Sequence, residues 1–357
     1  MCDGQYSPGN MNERLQLVVH GMLLALGIGW VLYIGKSVFV PIVFGVLVAY
    51  VIVGLTRLLF RIPFVGRFLP RHIGYTLAAL VIALAVAAIV SLVATSLGGI
   101  VALAPQYEGA LLNAIQDVAV RLGFESPTWP MLRQELLAQI NAQRVIGSTV
   151  VSLSSIVSNL LVVLLYVAFL LIEQRTFSGK INRVSADPRT VAYIQNVIGH
   201  INARIGTYLA LKTLVSIVQG LISWAILALF GVEFAMFWAV LIGLLNYIPY
   251  IGSFLGVVLP IAFATVQFAD LNVVLALLLA LSAAQFVIGF FLDPYLMGNS
   301  LNLSPFVILV SLAAWSAIWG IAGAFLAVPI TACMVLVFAE FQGTRPIAVL
   351  LSKNGQI

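Results

Sequence analysis

Charge is scarce in this sequence. Only 8% of the residues are charged and 62% are hydrophobic, whereas soluble domains average about 25% charged and about 45–50% apolar residues. So few charges cannot cover the surface of a water-soluble fold of 357 residues. Several apolar runs also exceed the roughly 18 residues that indicate a bilayer-spanning helix. The composition therefore predicts an all-α membrane protein with about six to eight transmembrane helices.

Catalytic and nucleotide-binding motifs are also missing. The sequence contains no G-x-x-x-x-G-K-[ST] phosphate loop, no H-E-x-x-H and no G-x-S-x-G. Its three histidines and two cysteines are scattered, so no metal site is indicated. We therefore expect neither an enzyme nor a bound cofactor. The net charge of +5 comes from basic residues in short loops beside apolar runs, where they indicate topology rather than nucleic-acid binding.

Basic residues in the loops predict the topology and the segments. Residues 57–71 contain arginines and no acid, so the positive-inside rule places this loop and the N-terminus in the cytoplasm. The C-terminal tail is assigned to the same side for the same reason. The predicted segments are scaffold spans at 1–98, an extracytoplasmic amphipathic segment at 99–150, a fourth span at 151–174, a cytoplasmic amphipathic linker at 175–212, a transport unit at 213–344 and a cytoplasmic tail at 345–357.

Two of these segments are amphipathic. In 99–150 the pattern predicts two helices separated by turn-rich residues 125–130, which either form an external cap or lie on the bilayer. In 175–212, Asp187 followed by Pro188 predicts an N-cap and the first position of a helix. We expect this helix to be interfacial and to link the scaffold to the transport unit.

No Lys or Arg occurs between Thr213 and Thr344. In this block the runs Met236–Phe268 and Phe306–Phe338 are each about 33 residues, so a straight helix would measure about 50 Å against a hydrocarbon core of about 30 Å. They are interrupted near residues 246–253 and 316–323. Each run is either a pair of spans or a re-entrant hairpin. Two hairpins of opposite orientation would form an inverted repeat, which a short sequence echo between Gly256–Pro260 and Gly323–Pro329 supports.

The interruptions supply the candidate functional residues. The residues assigned to the substrate path or its gates are Asn246, Tyr247, Pro249, Tyr250, Gly252, Ser253, Ser316, Gly320, Gly323 and Pro329. Asp293 and Gln285 are candidates for ion coupling, because ionisable groups near transport paths often serve that role. Plainer interpretations remain open: a helix–helix hydrogen bond for Asn246, a surface turn for Gly252 and a solvated loop acid for Asp293. Without a counter-charge in this block, a neutral polar solute or a monovalent cation is predicted rather than a strongly anionic substrate.

Segments of the C-terminal half resemble the autoinducer-2 exporter family of bacterial membrane proteins. In the family's order and spacing they are Asn246–Gly252 (Asn-Tyr-Ile-Pro-Tyr-Ile-Gly), Asp293–Gly298 (Asp-Pro-Tyr-Leu-Met-Gly), Asn299–Pro305 (Asn-Ser-Leu-Asn-Leu-Ser-Pro) and Trp319–Pro329. The order of spans and loops upstream is also similar, so the resemblance covers nearly the whole chain. At 302–305 the sequence Asn-Leu-Ser-Pro stands where the family more often has Gly-Leu-His-Pro, a departure that bears on proton coupling and substrate.

The resemblance implies a secondary transporter of the bacterial inner membrane. Some members of the family export autoinducer-2, and others are described as sodium/proton antiporters. The resemblance also implies a homo-oligomer, a pentamer, with an elevator-like movement. Three hypotheses follow for this chain: an exporter of a small polar solute of the autoinducer-2 type, an antiporter of sodium or another monovalent cation for protons, and a non-transporting membrane scaffold that recruits partners through residues 175–212.

Overall fold

The described part of the chain is helical almost throughout. The computed structural model describes residues 11–61, 71–121, 142–297 and 302–355. In chain order its helices are α1 (Met11–Ile34), α2 (Lys36–Arg61), α3 (Arg71–Arg121), α4 (Ala142–Ile181), α5 (Pro188–Leu229), α6 (Ala235–Leu245), α7 (Ile251–Phe268), α8 (Leu271–Val287), α9 (Asp293–Met297), α10 (Pro305–Trp319), α11 (Ile321–Glu340) and α12 (Arg345–Leu351). Among the described residues, 6 helices are long and apolar enough to cross a membrane. The predicted all-α membrane fold is therefore confirmed.

Three helices are much longer than a membrane is thick. α3, α4 and α5 contain 51, 40 and 42 residues, or about 76, 60 and 63 Å at 1.5 Å per residue. They run through the predicted segment boundaries at 98/99, 150/151, 174/175 and 212/213. These boundaries are therefore not breaks in secondary structure. The assignment of scaffold, linker and transport roles to the segments remains a prediction.

The region after residue 98 differs from the expected pair of separate helices. Its first amphipathic helix is a continuation of α3, because Gly98 and Gly99 do not end that helix. The missing side chain of Gly99 instead leaves room for the ring of Phe234, which lies where a Cβ would stand. The turn at 125–130 and the second amphipathic helix lie outside the described residues.

The start of α5 is fixed by a side-chain cap, as Asp187 and Pro188 predicted. Asp187 Oδ1 accepts a hydrogen bond from the Arg189 N–H at 3.0 Å, and Oδ2 accepts one from the Thr190 hydroxyl at 2.9 Å. These bonds favour the charged carboxylate and therefore hold the pKa of Asp187 below its usual range. The bond from the Arg189 N–H contributes most, and the bond from the Thr190 hydroxyl contributes next. Pro188 occupies the first helical turn, where it loses no hydrogen bond. The predicted helix start is confirmed.

Both predicted interruptions are present, and each separates a short helix from a longer one. α6 and α10 contain 11 and 15 residues, or about 16 and 22 Å, which is less than a hydrocarbon core of about 30 Å. Their partners α7 and α11 contain 18 and 20 residues and are long enough to cross. In each pair the two helices pack against each other.

α5 is the helix around which the others are arranged. It packs against α2, α4, α6, α8, α9 and α11. Near its C-terminal end, a buried cluster joins Leu227 to Trp238 of α6 and Leu281 of α8. Nearer its middle, a second buried cluster joins Tyr208 to Val328 of α11. α5 is thus in contact both with helices of the N-terminal half, α2 and α4, and with α6 and α11, which flank the two interruptions.

Two local features complete the frame of the site. A π-helical segment, Ile288–Leu292, separates α8 from α9, and such wider turns often occur at functional sites. The end of the described chain docks on the residues before α10: Leu303 and Ser352 form a β-bridge, and the Ser304 N–H donates to the Leu351 carbonyl at 3.0 Å. Ser304, which stands where the resembled family more often has histidine, is therefore held beside the C-terminal segment.

Candidate functional site

One face of α5 carries a buried row of polar residues through the apolar bundle. Lys212, Ser216, Gln219 and Ser223 recur at helical spacing and are all buried. Lys212 lies about 26 Å along the helix from Leu229, where α5 ends, and Ser223 lies about 9 Å from that end. The row therefore extends over much of the part of α5 that is long enough to cross a membrane. Polar side chains at that depth are costly and often functional.

The first two residues of this row, Lys212 and Ser216, contact the first interruption and the start of α9. Lys212 Nζ lies 3.2 Å from Asp293 Oδ2 and donates to Asn246 Oδ1 at 3.5 Å. Asn246 Nδ2 donates to Ser216 Oγ at 3.2 Å. Lys212 and Asn246 are only 7% and 8% exposed. We call the following residues the polar centre: Lys212, Thr213, Ser216, Asn246, Tyr247 and Asp293.

Hydroxyl groups extend the polar centre on its other side. The Thr213 hydroxyl donates to the Leu209 carbonyl at 2.7 Å and lies 2.7 Å from the Tyr247 hydroxyl. Since a hydroxyl has one proton to donate, Tyr247 is the donor to Thr213. The ring of Tyr247 stacks on Phe325 of α11, with centroids 6.0 Å apart. Tyr247 therefore connects the polar centre to the second pair of helices.

Two buried acceptor atoms, one in the polar centre and one in the row on α5, have no hydrogen-bond partner in the described part of the chain. They are Asp293 Oδ1 and Gln219 Oε1. A buried acceptor without a donor costs free energy, about 1–3 kcal/mol for a neutral group and more for a charged one. Asp293 thus uses one oxygen for Lys212, while the other accepts no hydrogen bond from the described residues.

The first interruption is built from a tight sequence of turns. The Ile248 N–H donates to the Leu245 carbonyl at 2.8 Å, and the Gly252 N–H donates to the Ile248 carbonyl at 3.0 Å. Between them Pro249 has no N–H to donate. Tyr250 then takes a positive φ of 61°, which is strained for a residue with a bulky side chain. This geometry ends α6 and places Asn246 and Tyr247 against α5.

The second interruption consists of little more than one residue. Gly320 has φ 63° and ψ −140°, a conformation that only glycine adopts without strain. Its N–H donates to the Ser316 carbonyl at 2.8 Å, and its own carbonyl accepts from the Ala324 N–H at 3.1 Å. α10 therefore ends and α11 begins at the same glycine.

One glycine in each pair allows a backbone carbonyl of the first helix to lie against the second. A Cβ on Gly252 would overlap the Leu245 carbonyl, and a Cβ on Gly323 would overlap the Trp315 carbonyl. The counterpart of Gly323 in the first pair is therefore Gly252. The sequence echo had aligned Gly256 instead, and Gly256 lies under the Gln285 amide.

The predicted path residues fall into three groups. Asn246 and Tyr247 belong to the polar centre, and Pro249, Gly252, Gly320 and Gly323 shape the two interruptions. Tyr250 and Ser253 are exposed. Ser316 contributes its carbonyl to the second interruption, and Pro329 is buried within α11. The side-chain amide of Gln285 lies over Gly256 of α7.

The sequence-based treatment of Lys212 was wrong. It assigned Lys212 to the cytoplasmic linker and argued that a block from 213 to 344 without Lys or Arg offers no counter-charge. Because α5 continues unbroken past residue 212, Lys212 enters the bundle and provides that charge. Asp293 is paired with Lys212 and is 25% exposed, and it begins α9 rather than lying in a loop. The spacing of Lys212, Ser216, Gln219 and Ser223 on one helical face was the signal that could have revealed it.

Comparison with known proteins gives a consistent assignment. A family model described as AI-2E family transporter matches residues 21–343. The chain is 29% identical over 349 residues to the AI-2 transport protein TqsA of Escherichia coli K12, with 96% of each chain covered. It is 31% identical over 258 residues to a protein of Borreliella burgdorferi named for transport, covering 69% of this chain and 67% of that one. It is 29% identical over 295 residues to YhhT of Escherichia coli K12, covering 81% and 82%.

These matches confirm the resemblance found in the sequence motifs. The relatives are named as transport proteins or permeases and not as enzymes. The apolar helices and this kinship together make the chain a multi-pass membrane protein and a transporter. Because the family model matches far more than half of the chain, the chain belongs to the AI-2E transporter family.

Proposed function

We propose that this protein is a secondary transporter that exports a small polar solute of the autoinducer-2 type by alternating access. The observation that carries the proposal is the polar centre, where Lys212 and Asp293 form an ion pair inside an apolar bundle and Asp293 Oδ1 is left without a donor. A solute with hydroxyl groups could donate to that oxygen. The name of the TqsA relative, an AI-2 transport protein, supports the same class of solute.

The charge balance of the polar centre favours a neutral solute. Lys212 supplies the positive charge that residues 213–344 lack, but Asp293 already pairs with it. A strongly anionic solute would have to displace Asp293, and a cation would have to displace Lys212, each at the cost of a buried unpaired charge. A neutral solute avoids this cost and uses the free acceptor of Asp293 and the hydroxyl and amide groups beside it.

The two interruptions are proposed as the gates. The helix pairs α6–α7 and α10–α11 would act as re-entrant hairpins of opposite orientation, since α6 and α10 are too short to cross the membrane. Buried contacts between Ile248 of the first interruption and Leu312 and Ala324 of the second pair bring the hairpins together. Opening one hairpin at a time would expose the polar centre to one side of the membrane.

Export is best tested by solute counterflow in proteoliposomes, with neutral polyhydroxylated metabolites offered under imposed sodium or proton gradients. Thr213→Val and Asn246→Ala remove hydrogen bonds of the polar centre, and we expect each to lower flux of the accepted solute about tenfold. Thr95→Val is the matched control, because the Thr95 hydroxyl also donates to the carbonyl four residues earlier, at 2.9 Å, but on α3. Equal loss in all three variants would contradict a role for the polar centre.

A second candidate function is the exchange of sodium or another monovalent cation for protons. The carboxylate of Asp293 is the feature that favours it, because cation coupling requires an acid beside the path, although the cation would have to displace Lys212 from that acid. Proton flux in vesicles with Asp293→Asn separates the two candidates. Flux that is abolished while solute counterflow persists supports antiport, and unchanged flux removes the acid-coupled form. Liposomes that show no flux of any solute or ion would leave the scaffold hypothesis.

The setting is proposed to be the bacterial inner membrane with both termini in the cytoplasm, as loop charges indicate. A homo-oligomer is proposed from the family resemblance, with five copies and an elevator-like movement. α1 supports an assembly or a lipid contact, since Leu24, Leu26 and Trp30 are exposed and α1 packs only lightly on α2 and α10. Cross-linking in native membranes tests the number of copies.

A further inference from the structure

A small cleft lies between α5, α11 and α12, away from the polar centre. Its volume is about 210 Å³, and its lining is formed by His200, Ile201, Arg204, Leu336, Ala339, Glu340 and Arg345. Cavities for drug-sized ligands are usually larger, about 300–1,000 Å³. The size therefore suits a single charged group with a short attachment rather than a whole metabolite.

The cleft carries an excess of positive charge. Arg204 and Arg345 face it from α5 and α12, and the imidazole of His200 lies one helical turn from Arg204. Within the described residues, no carboxylate lies within salt-bridge distance of either arginine. Glu340 lines the same cleft, but its carboxylate accepts a hydrogen bond from the Tyr193 hydroxyl at 3.2 Å. That hydrogen bond does not cancel the charge of the carboxylate, so the cleft has two guanidinium groups against one carboxylate. Phosphate oxygens are the acceptors that guanidinium groups match best.

The position of the cleft is that of lipid headgroups. α11 is the last described helix that is apolar enough to cross a membrane, and charged residues return at its end with Glu340 and then Arg345, so we place its last turn at the membrane boundary. The short helix α12 begins a few residues later. It buries Ala348 but leaves Ile347 46% and Leu350 80% exposed, and Phe341 just before it is exposed as well. Apolar side chains exposed beside basic ones are typical of a helix lying in the interface.

We propose that this cleft binds the phosphate headgroup of an anionic phospholipid, with the acyl chains along Phe341, Ile347 and Leu350. Basic pockets between membrane helices are known to bind such headgroups. The lipid would join α5, which contributes Lys212 to the polar centre, to α11 and α12. This assignment is independent of the solute and of the direction of transport.

Binding is measured with fluorescent phosphatidylglycerol and the purified full chain in mixed micelles. The variant Arg204→Gln/Arg345→Gln should bind it on the order of thirtyfold more weakly, since each basic residue near a lipid surface contributes about a factor of five. Arg183→Gln/Arg189→Gln is the matched control, with the same change of net charge at exposed residues outside the cleft, and it should bind nearly as the parent does. Arg204→Lys/Arg345→Lys should keep part of the affinity.

Competition identifies the source of the phosphate. Unlabelled phosphatidylglycerol should displace the probe, and phosphatidylcholine should not. Displacement by inorganic phosphate at similar concentration would overturn the proposal, because the site would then recognise free phosphate. Equal weakening in the control pair would also overturn it, by showing attraction to net charge alone. Gel filtration of every variant confirms that lost binding does not come from lost folding.

Discussion

The two interruptions solve the same steric problem with different residues. At the first, several residues turn the chain, and Asn246 and Tyr247 point polar groups toward α5. At the second, Gly320 turns the chain alone and brings no polar side chain. Both share a glycine, Gly252 or Gly323, on which a carbonyl of the preceding helix rests. The two helix pairs therefore share a construction but differ in chemistry: the first contributes polar side chains to the polar centre, and the second contacts it through the ring of Phe325 on Tyr247.

Substitution of the shared glycines, Gly252 and Gly323, should give the largest loss of stability. Gly252→Ala and Gly323→Ala would each place a methyl group on a backbone carbonyl that cannot move independently of its helix. We expect each to destabilise the protein by about 3 kcal/mol or more, at the upper end of overpacking effects. Thermal unfolding in detergent measures this. Gly199→Ala, with nothing within 4 Å of its Cβ, is the control and should be neutral or slightly stabilising. If only one of Gly252→Ala and Gly323→Ala were tolerated, the two glycines would not have the same steric role.

Removing a charge from the polar centre should give the next largest loss of stability. No comparable loss is expected at the second interruption. Lys212→Met leaves Asp293 without its partner and should cost about 3 kcal/mol, the lower end for buried pairs because Asp293 is partly exposed. Lys212→Met/Asp293→Asn should cost clearly less than the sum of the single changes. At the second pair, Thr331→Val removes the hydrogen bond from Trp315 Nε1, 3.2 Å long, and should cost only about 1 kcal/mol. Additive single costs would show that no coupling exists.

Substitutions at the two interruption residues with positive φ, Gly320 and Tyr250, should lower stability the least, and the loss should be larger at Gly320 than at Tyr250. Gly320→Ala forces a side chain into a glycine conformation and should destabilise by about 1–3 kcal/mol. Tyr250→Gly should cost less, since it relieves a positive φ of 61° and removes a ring that is 57% exposed. The stability of both variants and of the parent protein is measured by denaturation. A larger loss for Tyr250→Gly would mean that the exposed ring has a binding partner.

The interruptions were predictable because their causes are local. Proline without an N–H, an asparagine able to end a helix and glycine at a positive φ all act within a few residues. The N-cap at Asp187 was predictable for the same reason. The pairing of Gly252 with Gly323 was not, since it depends on which carbonyl the neighbouring helix presents.

Lys212 shows where sequence reasoning failed and why. Charge patterns assign a lysine at the edge of an apolar run to the surface, because most such residues lie there. Whether α5 stops or continues at residue 212 depends on tertiary packing, and the acid that stabilises the buried ammonium is Asp293, far away in sequence. Gln219 was not among the predicted path residues either, although it is buried on the same face of α5 and donates to Ser223 at 3.2 Å.

The unbroken course of α5 has a mechanical consequence. From Lys212 back to Pro188 the helix is a stiff lever of about 36 Å. A tilt of about 10° at the polar centre would swing its start by about 6 Å, across the region that carries Arg204 and His200. A pair of spin labels, one near Asn196 and one on the scaffold helix α2, would therefore register a rearrangement at the polar centre as a change in distance far from it.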